Sequence, residues 1–222
     1  MKIIAPIIAG IALTAHAMAL EVVYMGLENN QGNAENAVAL TTQLEASRTL
    51  TVPLDQIDQF IANPDNGLPD RIVELPPNLG RVAIENGWVP THHLNIEVAM
   101  GFYTTPNRVG GPFKRITSSP RNTLSFDAAE VLKDPDAEHF QAKDHFSCLR
   151  RIFSGDTDAC VTASGIARRY GERFGVEVVL SGEAIAFDPV ALYASPGVTP
   201  AQMDVIKDIT VKMPRGTQFE PL

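Results

Sequence analysis

Residues 155–164 read Gly155-Asp156-Thr157-Asp158-Ala159-Cys160-Val161-Thr162-Ala163-Ser164, and the fold is decided by what stands on either side of them. Ala159 to Ala163 is a short apolar run of strand length, bounded by turn residues. Gly155 ends the helix before it, where Asp144 can cap and Phe146, Leu149, Ile152 and Phe153 fall on one face. Ser164 is expected to cap a second helix running to Phe174, with Gly175 closing it in the left-handed conformation. A buried strand between two amphipathic helices predicts an α/β fold, a mostly parallel sheet with helices on both faces.

The same alternation extends outward. Upstream, Phe113 to Thr117 is strand-like, Ser118 to Thr123 is a polar loop, and Ser125 to Lys133 is a helix with Asp127 and Glu130 near its N-terminal end. Downstream, Glu177 to Leu180 and Pro189 to Ala194 read as strands, and Thr199-Pro200-Ala201-Gln202 is a capping box opening a helix through Met213. Residues 20–112 are harder to read. A strand at Glu21 to Met25, helices at Ala37 to Ser47 and Asp55 to Ala62, and a strand at Leu94 to Phe102 are separated by turn-forming runs such as Asn63-Pro64-Asp65-Asn66-Gly67. This divides the chain into an irregular region over 20–112 and a regular α/β region over 113–222.

Composition sets the outer limits. The chain has 222 residues, 45% of them apolar and 20% charged, which excludes a disordered or collagenous protein. Its formal charge of −8 and lack of a clustered Lys/Arg run argue against nucleic acid as a partner. Met1-Lys2, the apolar stretch Ile3 to Leu13 and Ala17-Met18-Ala19 form a secretory signal pattern over residues 1–19. A periplasmic location and a mature protein that does not span the membrane are expected from it. Export brings Cys148 and Cys160 into an oxidising space, where a disulfide is the favoured reading; a pair of small buried hydrophobes is the alternative.

The order Ile116-Thr117-Ser118-Ser119-Pro120-Arg121-Asn122-Thr123-Leu124-Ser125, then His145-Phe146-Ser147-Cys148-Leu149, then Gly155-Asp156-Thr157-Asp158-Ala159-Cys160 resembles the second half of the phosphate/phosphonate/phosphite-type periplasmic solute-binding proteins of ABC importers. The resemblance covers about residues 114–213. It implies the two-lobed type II periplasmic-binding fold, with residues 20–112 as a reduced or atypical first lobe, a small anionic ligand between the lobes, an ABC permease as partner, and neither catalysis nor a cofactor. His145 would lie beside the ligand cleft.

The chemistry of the residues points the same way. A Ser/Thr/Asn loop running into a helix N-terminus offers hydroxyls, an amide and backbone N–H groups to an oxyanion. Ser118, Ser119, Asn122, Thr123 and Ser125 are the candidate donors, and the same residues also suit a turn and a helix cap. Thr162 and Ser164 stand where the buried strand meets the next helix, the crevice in which open α/β sheets bind ligands. Three competing readings carry less. No Gly-x-Ser-x-Gly elbow supports a hydrolase built on His145 and Asp158. His92 and His93, adjacent in sequence, would point apart on a strand and so make a poor metal pair with Glu97. A non-transport accessory or protein-interaction module built on the same fold is the remaining alternative.

Overall fold

The computed structural model describes residues 20–26, 31–64, 70–214 and 216–222; the signal pattern at 1–19 lies outside them. The chain runs β1 (Glu21–Gly26), α1 (Gln31–Gln43), β2 (Arg48–Pro53), α2 (Ile57–Ala62), β3 (Arg71–Leu75), α3 (Pro77–Glu85) and β4 (Val89–Leu94). It then crosses to a second layer through β5 (Val98–Thr104), β6 (Arg115–Ser118), α4 (Leu124–Leu132), β7 (Glu138–Gln141), α5 (His145–Ser154), β8 (Ala159–Ala163), α6 (Ser164–Phe174) and β9 (Val179–Phe187). It returns for β10 (Ala191–Ala194), α7 (Pro200–Lys207), β11 (Val211–Lys212) and β12 (Gln218–Pro221).

Two sheets result, a seven-stranded one in the order β11-β12-β4-β10-β3-β1-β2 and a five-stranded one in the order β7-β6-β8-β5-β9. Parallel pairing is confined to the strand–helix–strand runs, β1 with β2 and β3, and β6 with β7 and β8. Antiparallel pairing enters with the strands that adjoin the crossings: β10 against β3 and β4, and β5 against β8 and β9. The sheets are therefore mixed. A boundary near residue 112 marks where the sequence becomes readable, not where the sheets divide. β5 precedes it and belongs to the second sheet, while β10, β11 and β12 follow it and complete the first. This is why residues 20–112, read alone, fall short of a full lobe.

Strand alternation gives each sheet two apolar faces and each face its helices. In the first sheet Val22 and Ile72 pack with Leu40 of α1, Leu44 just beyond it and Ile206 of α7. Val23 and Val73, one residue on, pack with Ile57 and Ile61 of α2 and Leu79 and Ala83 of α3. In the second sheet Cys160 faces Leu149 and Ile152 of α5 and Ala167 and Tyr170 of α6, whereas Val161 faces Leu124, Ala128 and Ala129 of α4. Cys148 and Cys160, both without exposed surface, form a disulfide that ties α5 to β8. The first sheet carries a different staple. Register places Glu21 opposite both Arg48 and Arg71, and the Glu21 carboxylate, 1% exposed, pairs with Arg48 and with the fully buried Arg71 at 3.6 Å. Burial pulls the Arg71 pKa down while Glu21 holds it up.

Several local expectations shift. α4 begins at Leu124 rather than Ser125, with Thr123 as its cap, whose hydroxyl accepts from the Phe126 N–H at 3.3 Å. α6 begins at Ser164 itself, with Ala163 at the cap position and no side-chain cap bond. The last helix stops at Lys207, and Val211 and Lys212 form an edge strand rather than its final turn. The run Leu94 to Phe102 is a crossing between sheets, and His92 and His93 lie in β4. Asp144 and Thr199 cap as their side chains allow, the latter within a complete capping box.

Candidate functional site

Strands β7, β6 and β8 are neighbours and parallel, so the segments that leave their C-terminal ends lie side by side. These are residues 142–144 leading to His145, residues 119–123 leading to α4, and Ala163 leading to Ser164. The predicted site residues therefore share one end of the second sheet, and each was placed there by the strand before it. From the first sheet, the segment after β2 comes to meet them. The Asn122 carboxamide donates to the Leu54 carbonyl at 3.3 Å and to Asp58 Oδ2 at 3.2 Å. Asn122 is also one of two non-glycine residues with positive φ among the described residues, at 67°. A left-handed residue costs on the order of 1 kcal/mol and persists where the surroundings fix it.

Most of the loop's other donors are already committed. Ser118, fully buried, donates its hydroxyl to the Ser119 carbonyl at 2.7 Å and meets His139 Nε2 at 2.8 Å. Ser125 donates to the Val161 carbonyl at 2.6 Å and accepts the Ser119 N–H at 3.0 Å. Thr123 donates to the Pro120 carbonyl at 2.7 Å. These bonds fold the loop onto the sheet and hold α4 to β8. The exception is Ser119, whose hydroxyl is buried without a hydrogen-bond partner, as is that of Thr117 two residues earlier on β6. An unmatched buried hydroxyl costs about 1–3 kcal/mol, so these two are the groups with unspent hydrogen-bonding capacity.

His145 Nδ1 lies 2.9 Å from the hydroxyl of Thr162, itself fully buried. Part of the His145 surface reaches solvent, but dense packing around the ring pulls its pKa down to about 4, against the opposing pull of Asp144. The imidazole is therefore neutral at pH 7 and offers one donor and one acceptor rather than a charge. Ser164 is exposed and hydrogen-bonds the Tyr103 side chain. The cluster thus combines neutral donors with a carboxylate, Asp58, that the sequence did not single out. Asp58 sits one residue into α2 with no pattern of its own. Only the pairing of the two layers gives it a role.

Of the alternative metal pair, His92 is engaged by the protein itself: Nε2 is 2.7 Å from the Ile209 carbonyl and Nδ1 is 2.9 Å from the Thr91 hydroxyl. Among the described residues, no group of three His, Cys, Asp or Glu side chains is placed to hold a metal ion. None of the described helices is long and apolar enough to cross a membrane.

Two sheets with covered faces, joined by crossings at β4–β5 and β9–β10 and meeting at their strand ends, make this a type II periplasmic-binding-protein fold. No protein-family model matches the sequence and no curated protein is significantly similar to it. Similar solved structures include PhnD1 from Prochlorococcus marinus in complex with methylphosphonate, at TM-score 0.63 and 12% identity over 86% of this chain and 83% of that one. A periplasmic His/Glu/Gln/Arg/opine family-binding protein from Silicibacter pomeroyi in complex with lysine matches at TM-score 0.60 and 12% identity, over 85% and 88% of the two chains. XAC2383 from Xanthomonas citri bound to ATP matches at TM-score 0.62 and 9% identity, over 86% and 82%. At these identities the likeness is one of fold.

Proposed function

We propose that the protein is an exported, periplasmic solute-binding protein that captures a small ligand between its two lobes for an ABC importer, with no covalent chemistry. The observation that carries this reading is the bridge from Asn122 to Leu54 and Asp58. It puts the loop after β6 face to face with the segment after β2, across a junction with only two chain crossings. Two hydrogen bonds are a light latch, each worth about 0.5–1.5 kcal/mol net, and a ligand that binds only the closed form shifts such an equilibrium readily.

A small oxyanion is the ligand class that this chemistry favours. Ser119 has an unspent buried hydroxyl, Asn122 and Thr123 stand at the N-terminus of α4, and neutral His145 with Thr162 lies one strand away. Helix N-termini and left-handed turns present N–H groups to anions without a fixed cation. Ser118 and Ser125 serve instead to shape the loop, and Ser164 stands at the rim. A second reading is favoured by the same bonds: with so many donors satisfied internally, the lobes would stay latched without a guest, as in an accessory or protein-interaction module of this fold.

Thermal unfolding of the chain from Leu20 onward separates the two. The panel is phosphate, phosphite, methylphosphonate, sulfate and lysine. A captured ligand at a hundred times its Kd adds about 2.7 kcal/mol of stability, and Asn122→Ala/Thr123→Ala removes the shift. No shift with any member favours the accessory module, and a full shift in the double variant takes the loop out of the site.

A further inference from the structure

The outer face of α5 gathers polar and basic side chains. Ser147, Arg150, Arg151 and Ser154 follow the i, i+3, i+4, i+7 spacing that places side chains on one stripe of a helix. Cys148, Leu149 and Ile152 occupy the opposite, buried side. With Lys143, from the turn before the helix, the stripe lines a cavity of about 440 Å³ whose one acid is Asp156 at the far end.

Three cations therefore converge in a protein of net charge −8, and none of them is in an ion pair among the described residues. The Asp156 carboxylate accepts from the Ser154 hydroxyl at 2.8 Å. The Arg151 guanidinium lies 5.5 Å from the centre of the Phe140 ring, a contact that orients the planar fork. Arg150 also lies near the Tyr170 side chain. Like charges at this spacing repel, and an oxyanion with two or more negative oxygens converts that repulsion into charge-assisted, bidentate bonding.

We propose that the α5 cavity binds a phosphate-class anion, either free in solution or as the headgroup of an anionic lipid, through Lys143, Arg150 and Arg151. The cavity is lined by none of the candidate cleft residues, so the proposal stands whether or not the lobes capture a solute.

The test uses the whole mature chain at low ionic strength with two arms. Calorimetric titration with inorganic phosphate and pyrophosphate probes a free anion. Co-sedimentation with vesicles of equal phosphatidylglycerol and phosphatidylcholine, against phosphatidylcholine alone, probes a headgroup. At least one arm gives saturable binding that weakens tenfold or more in Arg150→Gln/Arg151→Gln. It changes less than twofold in Arg168→Gln, which removes one charge from exposed α6. Binding to soluble anions assigns a free ligand, and binding to vesicles alone assigns a lipid. A cleft-bound phosphate is recognised by its loss in Asn122→Ala/Thr123→Ala instead. No saturable binding in either arm, or binding undiminished in the double arginine variant while its far-ultraviolet spectrum and unfolding temperature are unchanged, overturns the proposal.

Discussion

The two lobes solve the same packing problem with opposite chemistry. The first sheet runs a row of charges across three adjacent strands, the exposed Arg48 and the buried Glu21 and Arg71, while the second ties helix to strand with the Cys148–Cys160 disulfide. Their buried titratable groups differ in the same way. Glu74, on β3 of the first sheet, has its pKa raised by burial to about 7, whereas His145, at the opening of α5 in the second lobe, has its own lowered to about 4. A lobe is thus defined as much by which charge it refuses as by its apolar core, and the two should answer differently to reduction, acid and base.

The largest expected effect breaks the charge row. Glu21→Leu leaves the fully buried Arg71 without that carboxylate and costs about 3–5 kcal/mol, read as a lowered midpoint in urea unfolding. Cys148→Ala/Cys160→Ala should cost about 3 kcal/mol in the chain-entropy picture. Hydrogen exchange should show the loss in α5 and β8 while β1 and β3 keep their protection. An equal loss of protection in both sheets would mean that the lobes unfold as one unit.

The titrations come next, on the order of 2 kcal/mol each. For Glu74 the folded state holds the proton to about pH 7 while the unfolded chain releases it near 4.5. Its contribution is complete below pH 4.5 and is lost as pH rises through 7. For His145 the unfolded chain takes up a proton near 6.5 and the folded state only near 4. Its contribution is complete above pH 6.5 and is lost as pH falls toward 4. Glu74→Gln should flatten the first slope and His145→Gln the second, and a variant that flattens neither refutes the assignment. The smallest effect is Thr199→Ala, which opens the capping box of α7 at about 1 kcal/mol, measurable as a small fall in unfolding temperature.

Legibility in the sequence follows the same divide between lobes. In the second lobe β6, α4, α5, β8 and α6 are contiguous units with their own caps and turns, so Asp144, Gly155 and Gly175 announce them locally. In the first lobe the sheet closes only when β10 and β12 arrive from about a hundred residues away or more to pair with β3 and β4. No local pattern encodes that pairing. The site was legible to the same extent. The loop after β6, His145 and Thr162 could be proposed because strand ends and cap residues mark them. What each donor does was not, because Ser118 and Ser125 spend their hydroxyls on carbonyls that only the folded sheet brings near. Leu54 and Asp58 were invisible because their partner lies more than sixty residues on.

The central claim, a guest held between the two sheets, is tested most directly by amide chemical-shift mapping of the mature chain with whichever member of the anion and amino-acid panel raises its unfolding temperature. The account predicts shifts that saturate together at Leu54 to Asp58 on one lobe and at Ser119 to Thr123, His145 and Thr162 on the other. Saturating shifts confined to a single lobe, or none at either strand end with every compound tried, would contradict it.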